Sequence, residues 1–240
     1  MEVLRWGIEH FGDRLAICTS FQAEGMVIID MAAQINGGNT HVFTIDTRRL
    51  HEETHALIDA VKRRYGIQIE VVEPEKSEVE AMVSTHGPDL FYEAVSKRRL
   101  CCEIRKSRPL KRKLGALDAW VVGLRRAQSE TRGAVPKVGT DSDHGGIAKL
   151  APLADWTKQQ VWEYIRRHDV PQHPLYSQGY TSIGCSPCTR AVAPGEGPRA
   201  GRWWWEQDSD KECGIHVSAT GELQREIDVL LAELLQHASQ

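Results

Sequence analysis

Short apolar segments of strand-like composition alternate with helix-like segments through the first two-thirds of this chain. That alternation restricts the fold more than any other feature. Residues 15–20 (LAICTS), 40–45 (THVFTI), 68–72 (QIEVV) and 120–123 (WVVG) read as strands. Residues 25–35 (GMVIIDMAAQI) read as an apolar helix, 52–65 as an amphipathic one and 77–85 as a third. A fourth spans 158–168, opened by Asp155 or Thr157 as a cap. Strands alternating with helices predict an α/β fold: a parallel, twisted, doubly wound sheet with helices on both faces. Such sheets bind ligands beyond the carboxyl ends of their strands. From Gly184 the texture changes. Residues 193–201 (APGEGPRAG) read as a mobile loop, three tryptophans follow, and 222–237 reads as an amphipathic helix. The expected organisation is a ligand-binding α/β domain over 1–192 and a mobile C-terminal arm over 193–240.

Six cysteines in 240 residues carry the chemistry. The first residues show no secretory h-region and no run nears the roughly 18 apolar residues of a membrane span. The expectation is therefore a cytoplasmic protein with reduced thiols and no membrane partner. A formal net charge of −3 argues against a global nucleic-acid binder. Cys101-Cys102 and Cys185-Ser-Pro-Cys188 form two pairs roughly eighty residues apart. They read as unrelated buried thiols, a zinc site, or ligands of a four-iron cluster. Structural zinc takes thiolates two to four residues apart within a pair. Adjacent cysteines converge poorly on one ion but can each hold a different iron, so the cluster is favoured over zinc. Around the first pair, residues 97–113 hold nine basic residues and one acid. This is a solvated or RNA-contacting face, or a cationic setting in which Arg105 and Lys106 stabilise an anionic cluster and an anionic substrate.

Three further constellations fit an anion. The turn from Thr19 to Gly25 leads from a strand into a helix, where backbone N–H groups favour phosphate and Ser20 can donate a hydroxyl. No Walker loop is present. Arg125, Arg126 and Arg132 follow the fourth strand as a clamp for phosphate or sulfate, and Arg199 and Arg202 repeat the pattern in the loop near 200. Cys213 stands apart from both pairs, with Lys211 and His216 nearby. Cationic neighbours lower a thiol's pKa, so Cys213 reads as a nucleophile or as a spare surface thiol. Cys18 reads as a core residue; His10, His51 and His173 receive no role.

These motifs together resemble the assimilatory sulfonucleotide reductases, in particular the iron–sulfur adenylyl-sulfate (APS) reductases. Cys101-Cys102-Glu-Ile-Arg105-Lys106-Ser-Arg-Pro109-Leu110 resembles the family's Cys-Cys-x-x-Arg-Lys-x-x-Pro-Leu signature, and Gly184-Cys185-Ser-Pro-Cys188-Thr-Arg190 its second cysteine pair. Gly201-Arg202-Trp-Trp-Trp-Glu206 and Lys211-Glu-Cys213-Gly-Ile-His216 are similar to its C-terminal motifs. The resemblance runs from about Leu15 to His216. It implies a Rossmann-like fold of the adenine nucleotide alpha hydrolase type and a 4Fe-4S cluster on Cys101, Cys102, Cys185 and Cys188. It also implies Cys213 as nucleophile, with His216 beside it, and Lys106 between cluster and substrate. Ser20, Arg132, Arg199 and Arg202 would hold the phosphosulfate, and the backbone at Ile45 and Gly123 would meet the adenosine. Two motifs depart from the family pattern: the turn reads Ser20-Phe-Gln-Ala-Glu-Gly25, and Arg48 replaces the glycine of Leu-Asp-Thr-Gly. The implied reaction takes APS to sulfite and AMP through an S-sulfocysteine, which a thioredoxin- or glutaredoxin-type dithiol resolves. Alternatives are the 3′-phosphorylated nucleotide (PAPS) as substrate, a related RNA sulfur-insertion enzyme, whose Ser-Gly-Gly-x-Asp-Ser loop is absent, and a non-catalytic iron–sulfur regulator. A homo-oligomer is compatible with the sequence.

Overall fold

The computed structural model describes residues 1–128, 132–206 and 221–237. Its centre is a six-stranded sheet of β1 (Leu15–Cys18), β2 (Val42–Ile45), β3 (Ile69–Val72), β4 (Ala119–Val121), β5 (Val138–Asp141) and β6 (Ile147–Leu150). The order across the sheet is β3-β2-β1-β4-β6-β5, parallel except for β5, which runs antiparallel to β6. Registers such as Ile17 opposite Val42 and Ala16 opposite Trp120 place β1 at the centre. Chain order reverses there: β2 lies on one side of β1 and β4 on the other. The crevice beyond their carboxyl ends is the ligand position of an open α/β sheet.

Helices α1 (Glu2–Phe11), α2 (Ala23–Asn36), α3 (Glu52–Tyr65), α4 (Lys76–His86), α5 (Val95–Cys102), α6 (Arg108–Leu114), α7 (Lys158–Arg167) and α8 (Gly221–His237) surround the sheet. Nine residues from Ala23 to Ala32 of α2 are buried, which is why this helix is apolar nearly all round. With Leu4, Val61 and Ile165 it fills one face of the sheet, while Phe43, Leu110, Leu114 and Trp120 fill the other. In α3, Glu52 and Glu53 open the helix, Lys62, Arg63 and Arg64 close it, and Gly66 caps it at φ 63°, matching the helix dipole and the left-handed C-cap. Thr157, one of the two expected caps of α7, forms a capping box with Gln160.

A third apolar cluster lies apart from the sheet. Met82, Leu90, Leu100, Ile104, Trp203 and Leu234 build it, together with Cys101 and Cys188. It bears on the expected C-terminal arm. Trp203 is 1% exposed, Arg202 pairs with Thr189 in a β-bridge, and α8 lies against α4 and α5. The Pro/Gly-rich stretch is tied back by the Arg190–Glu196 ion pair and by Thr181, whose hydroxyl donates to the Pro198 carbonyl at 2.5 Å. The described part of 193–240 is thus seated on the domain. Cys213 and His216 lie outside the described residues.

Candidate active site

The two cysteine pairs meet. Cys101 and Cys102 end α5, and Cys185 and Cys188 bracket a 3-10 turn led by Ser186 and Pro187. All four line one cavity, shared with Arg49, Arg98, Arg105 and Lys106. Between α5 and α6 the chain widens into a π-helical turn, Glu103–Ser107, before Pro109 starts α6 in the first-turn position proline tolerates. Cys101 and Arg105, four residues apart, and Cys102 and Lys106 likewise, therefore reach the same cavity.

The loop after β2 forms another wall. Thr47 Oγ1 lies 3.2 Å from Cys185 Sγ, and the Thr47 carbonyl accepts from Arg105 Nη1 at 2.9 Å. The Ser186 N–H donates to the Arg49 carbonyl at 2.8 Å. The Arg49 guanidinium donates to the Pro88 carbonyl at 2.8 Å, pairs with Asp89 at 3.1 Å and lies over the Phe91 ring.

Electrostatics divide the four thiols. Burial, reinforced by the neighbouring thiols, pushes Cys101 up to about 12, and burial with the same crowding does so for Cys188. Burial opposes ionisation of Cys185 too, but Lys106, the Thr47 hydroxyl and Arg202 hold it below its ordinary value. Four crowded thiols ionise together only with cationic charge among them. This donor set therefore fits a thiophilic metal centre. Among the described residues, no three His, Cys, Asp or Glu side chains are gathered about one point as a single ion requires.

At the carboxyl end of β1, Ser20 is exposed and accepts from Gln22 Nε2 at 3.0 Å. Gln22 also accepts from the Ile183 N–H at 2.9 Å, joining this turn to the loop that leads into Cys185. Phe21 turns the chain at φ 56°, its N–H bonded to Thr19 Oγ1 at 3.0 Å. Ile45 ends β2, and Gly123 follows β4 against the first turn of α2.

The arginines expected as a clamp after β4 separate. Arg125 is buried, paired with Glu24 at 2.8 Å and bonded to the Trp156 carbonyl at 3.3 Å. Arg126 donates from Nε to the Val135 carbonyl at 2.9 Å and so turns toward that loop. Arg132 donates to Gln128 Oε1 at 2.6 Å. Arg199 accepts at its carbonyl from the Arg202 N–H at 3.0 Å. Arg202 is 6% exposed, and its Nε is buried without a hydrogen-bond partner. A Cβ at Gly184 would sit 2.4 Å from Arg202 Nη2, so glycine there makes room for the guanidinium. A Cβ at Gly201 would sit 2.2 Å from the Arg190 carbonyl oxygen, so glycine also permits the bridge beside it.

Sequence reasoning placed Gln22 and Thr47 within motifs without a role of their own, offered Arg49 only as an extra cation for a 3′-phosphate, and missed a buried ion pair between Arg98 and Glu206. Arg98 lay within the basic segment and Glu206 closed a quoted motif, but nothing in either stretch paired them.

Comparison with known proteins points in one direction. The phosphoadenosine phosphosulfate reductase domain profile matches residues 14–191. An adenosine 5′-phosphosulfate reductase of Burkholderia cepacia is 47% identical over 206 residues, covering 86% of this chain and 82% of that protein. One from Allochromatium vinosum is 47% identical over 204 residues, covering 85% and 79%. Among solved structures, a phosphoadenylyl-sulfate (PAPS) reductase from Candida auris in a phosphate complex superposes with a TM-score of 0.66 at 30% identity. The match covers 80% of this chain and 89% of that one. An FMN adenylyltransferase of Candida glabrata reaches 0.57 at 12% identity, covering 99% and 79%, and shares the fold alone.

Proposed function

The chain belongs to the phosphoadenosine phosphosulfate reductase domain family, and from that premise we propose that it reduces APS to sulfite and AMP. The observation that carries this reading is the shared cavity, where both cysteine pairs meet Lys106 beside the loop that holds Arg202. Cys101, Cys102, Cys185 and Cys188 would hold a 4Fe-4S cluster. When bound, it supplies an anionic centre that the surrounding arginines and Lys106 stabilise.

The Cys213 thiolate attacks the sulfur of the phosphosulfate. The bond from that sulfur to the bridging oxygen breaks, and its electron pair leaves on the phosphate of AMP. Arg202, Arg199, Arg132 and the Ser20 turn bind the phosphosulfate and offset the charge that grows on the leaving group. His216 keeps the thiol ionised. A dithiol protein of thioredoxin or glutaredoxin type then attacks Sγ of the S-sulfocysteine, sulfite departs with the S–S electron pair, and the second thiol of the donor frees Cys213. The donor leaves as a disulfide, having supplied the two electrons.

Two observations favour APS over PAPS. Relatives at 47% identity carry the APS name. Arg48 and Arg49, the extra cations a 3′-phosphate would call on, pair with Glu73 at 3.7 Å and Asp89 at 3.1 Å. No helix among the described residues is long and apolar enough to cross a membrane.

The test is single turnover. Anaerobic protein given APS without thiol should gain one sulfo group per chain, mapped by peptide mass spectrometry to Cys213, and the dithiol donor should then release sulfite. It should hold about four irons and four sulfides. Sulfite formation by Cys213→Ser at a rate near wild type refutes the covalent route. Stoichiometric zinc in a colourless protein refutes the cluster.

A further inference from the structure

Arg98 and Glu206 form the most deeply buried ion pair among the described residues, with side chains 1% and 4% exposed. Arg98 Nε donates to Glu206 Oε1 and Nη2 to Oε2, the second at 3.1 Å, a two-pronged fork that fixes both groups in direction as well as distance. Arg98 belongs to α5, three residues before Cys101. The Glu206 backbone N–H donates to the Trp203 carbonyl at 3.0 Å.

Trp203 is held by its ring and by its backbone. The guanidiniums of Arg98 and Arg202 both lie over its ring, each with Cζ 4.4 Å from the centroid. Its backbone N–H donates to the Cys188 carbonyl at 3.3 Å, which ties it to the second cysteine pair, while its indole Nε1 is buried without a hydrogen-bond partner. Its backbone adopts φ 42°, a left-handed conformation that a bulky residue keeps only when its surroundings enforce it. Burying two charges is costly, and an apolar pair of similar volume often stabilises a fold as well. Fold stability alone therefore does not require the ion pair, and what the fork adds is direction.

We infer that Arg98 and Glu206 are positioning residues, which with Trp203 lock Arg202 against both cysteine pairs. The inference rests on the proposed reading of Arg202 as a substrate ligand and Cys213 as nucleophile. Substrate grip and cysteine cavity then share one joint.

Two variants test this. Glu206→Gln keeps the shape and removes the charge. The double variant Arg98→Met, Glu206→Leu replaces the pair with apolar groups and removes both the fork and the stack on Trp203. Each is compared with wild type for iron content, visible spectrum, Tm, AMP affinity by calorimetry, the split between KM and kcat, and the single-turnover rate of Cys213 adduct formation. The double variant should keep its iron and its Tm. Its adduct rate should fall about 100-fold, the scale of a misplacement near 1 Å, with weaker AMP binding and a raised KM for APS. Wild-type adduct rate and AMP affinity in that variant would overturn the inference. So would failure of both variants to fold, which would make the pair purely structural. If wild type itself forms no adduct, the covalent reading fails, and AMP affinity still decides whether the pair positions Arg202.

Discussion

Acid should destabilise this protein through one buried histidine before its carboxylates titrate. His173 is 1% exposed. Its Nδ1 accepts from the Leu175 N–H at 3.3 Å, so the neutral ring carries its proton on Nε2, 2.9 Å from Thr54 Oγ1. A second proton would have to sit on Nδ1, against a donor. Burial, then the neighbouring His51, lowers its pKa to about 4, with Glu53 opposing. In the unfolded chain a histidine titrates near 6.5. Above that pH both states are neutral and the contribution is complete. As pH falls from about 6.5 to about 4 the unfolded chain takes up a proton that the folded chain refuses, so stability is lost across that window. At about 1.4 kcal/mol per pH unit the full loss is about 3 kcal/mol, of which about 1.3 kcal/mol falls between pH 7.5 and 5.5. Anaerobic urea unfolding of wild type and His173→Asn over that range measures it. His51 is present in both proteins and cancels in the difference. The asparagine variant should be less stable at pH 7.5, and the gap should narrow by about 1.3 kcal/mol at pH 5.5. A gap independent of pH would show that His173 protonates in place, and the argument from Nδ1 would fail.

Lys106→Ala removes a charge-assisted contact to the Cys185 thiol. It should lower kcat/KM for APS by about 10- to 100-fold, the equivalent of about 1.5–3 kcal/mol, while the visible spectrum shows the iron retained; unchanged kcat/KM would uncouple the cavity from the substrate. Gly184→Ala places a methyl 2.4 Å from Arg202 Nη2 and 2.6 Å from its Cζ. AMP affinity by calorimetry should fall about tenfold, equivalent to about 1.4 kcal/mol, with Tm nearly unchanged. Serine at any one of Cys101, Cys102, Cys185 or Cys188 should lower iron per chain, measured on anaerobic protein; full iron content in one of them would remove that residue from the ligand set.

The central strands were legible because each is a short apolar run buried on both faces, and β1, β2 and β4 stand where those runs predict. The hairpin of β5 and β6 was not. Val138–Asp141 is mostly exposed, and Ile147–Leu150 buries only Leu150 fully, so neither stretch shows a core-facing pattern. Helix α1 was legible too, since Val3, Leu4, Gly7, Ile8 and Phe11 fall at helical spacing and pack on the core, but it lay outside the elements predicted. In the site, the cysteine pairs announce themselves by local spacing. The pairings of Arg98 with Glu206, 108 residues apart, and of Thr47 with Cys185, 138 apart, exist only after the chain has folded. Arg125 shows the converse: its place after β4 suggested an anion ligand, yet Glu24, 101 residues away, takes its guanidinium.

The Ser20 turn and the cysteine cavity are joined by short links rather than by distance across the sheet. Gln22 bonds Ser20 on one side and the Ile183 N–H on the other. Two residues on, Cys185 meets Thr47, whose carbonyl holds Arg105 at the cavity wall. The Gly184 N–H donates to Thr189 Oγ1 at 3.1 Å, and Thr189 bridges to Arg202. A shift of the 182–189 loop therefore moves the Ser20 turn, the second cysteine pair and Arg202 together. Packed interiors transmit such shifts because they contain little free volume to absorb them. On this arrangement a metal centre held by the four thiols need exchange no electron to matter for catalysis. Fixing Cys185 and Cys188 fixes the loop, and the loop sets how the Ser20 turn and Arg202 stand relative to each other.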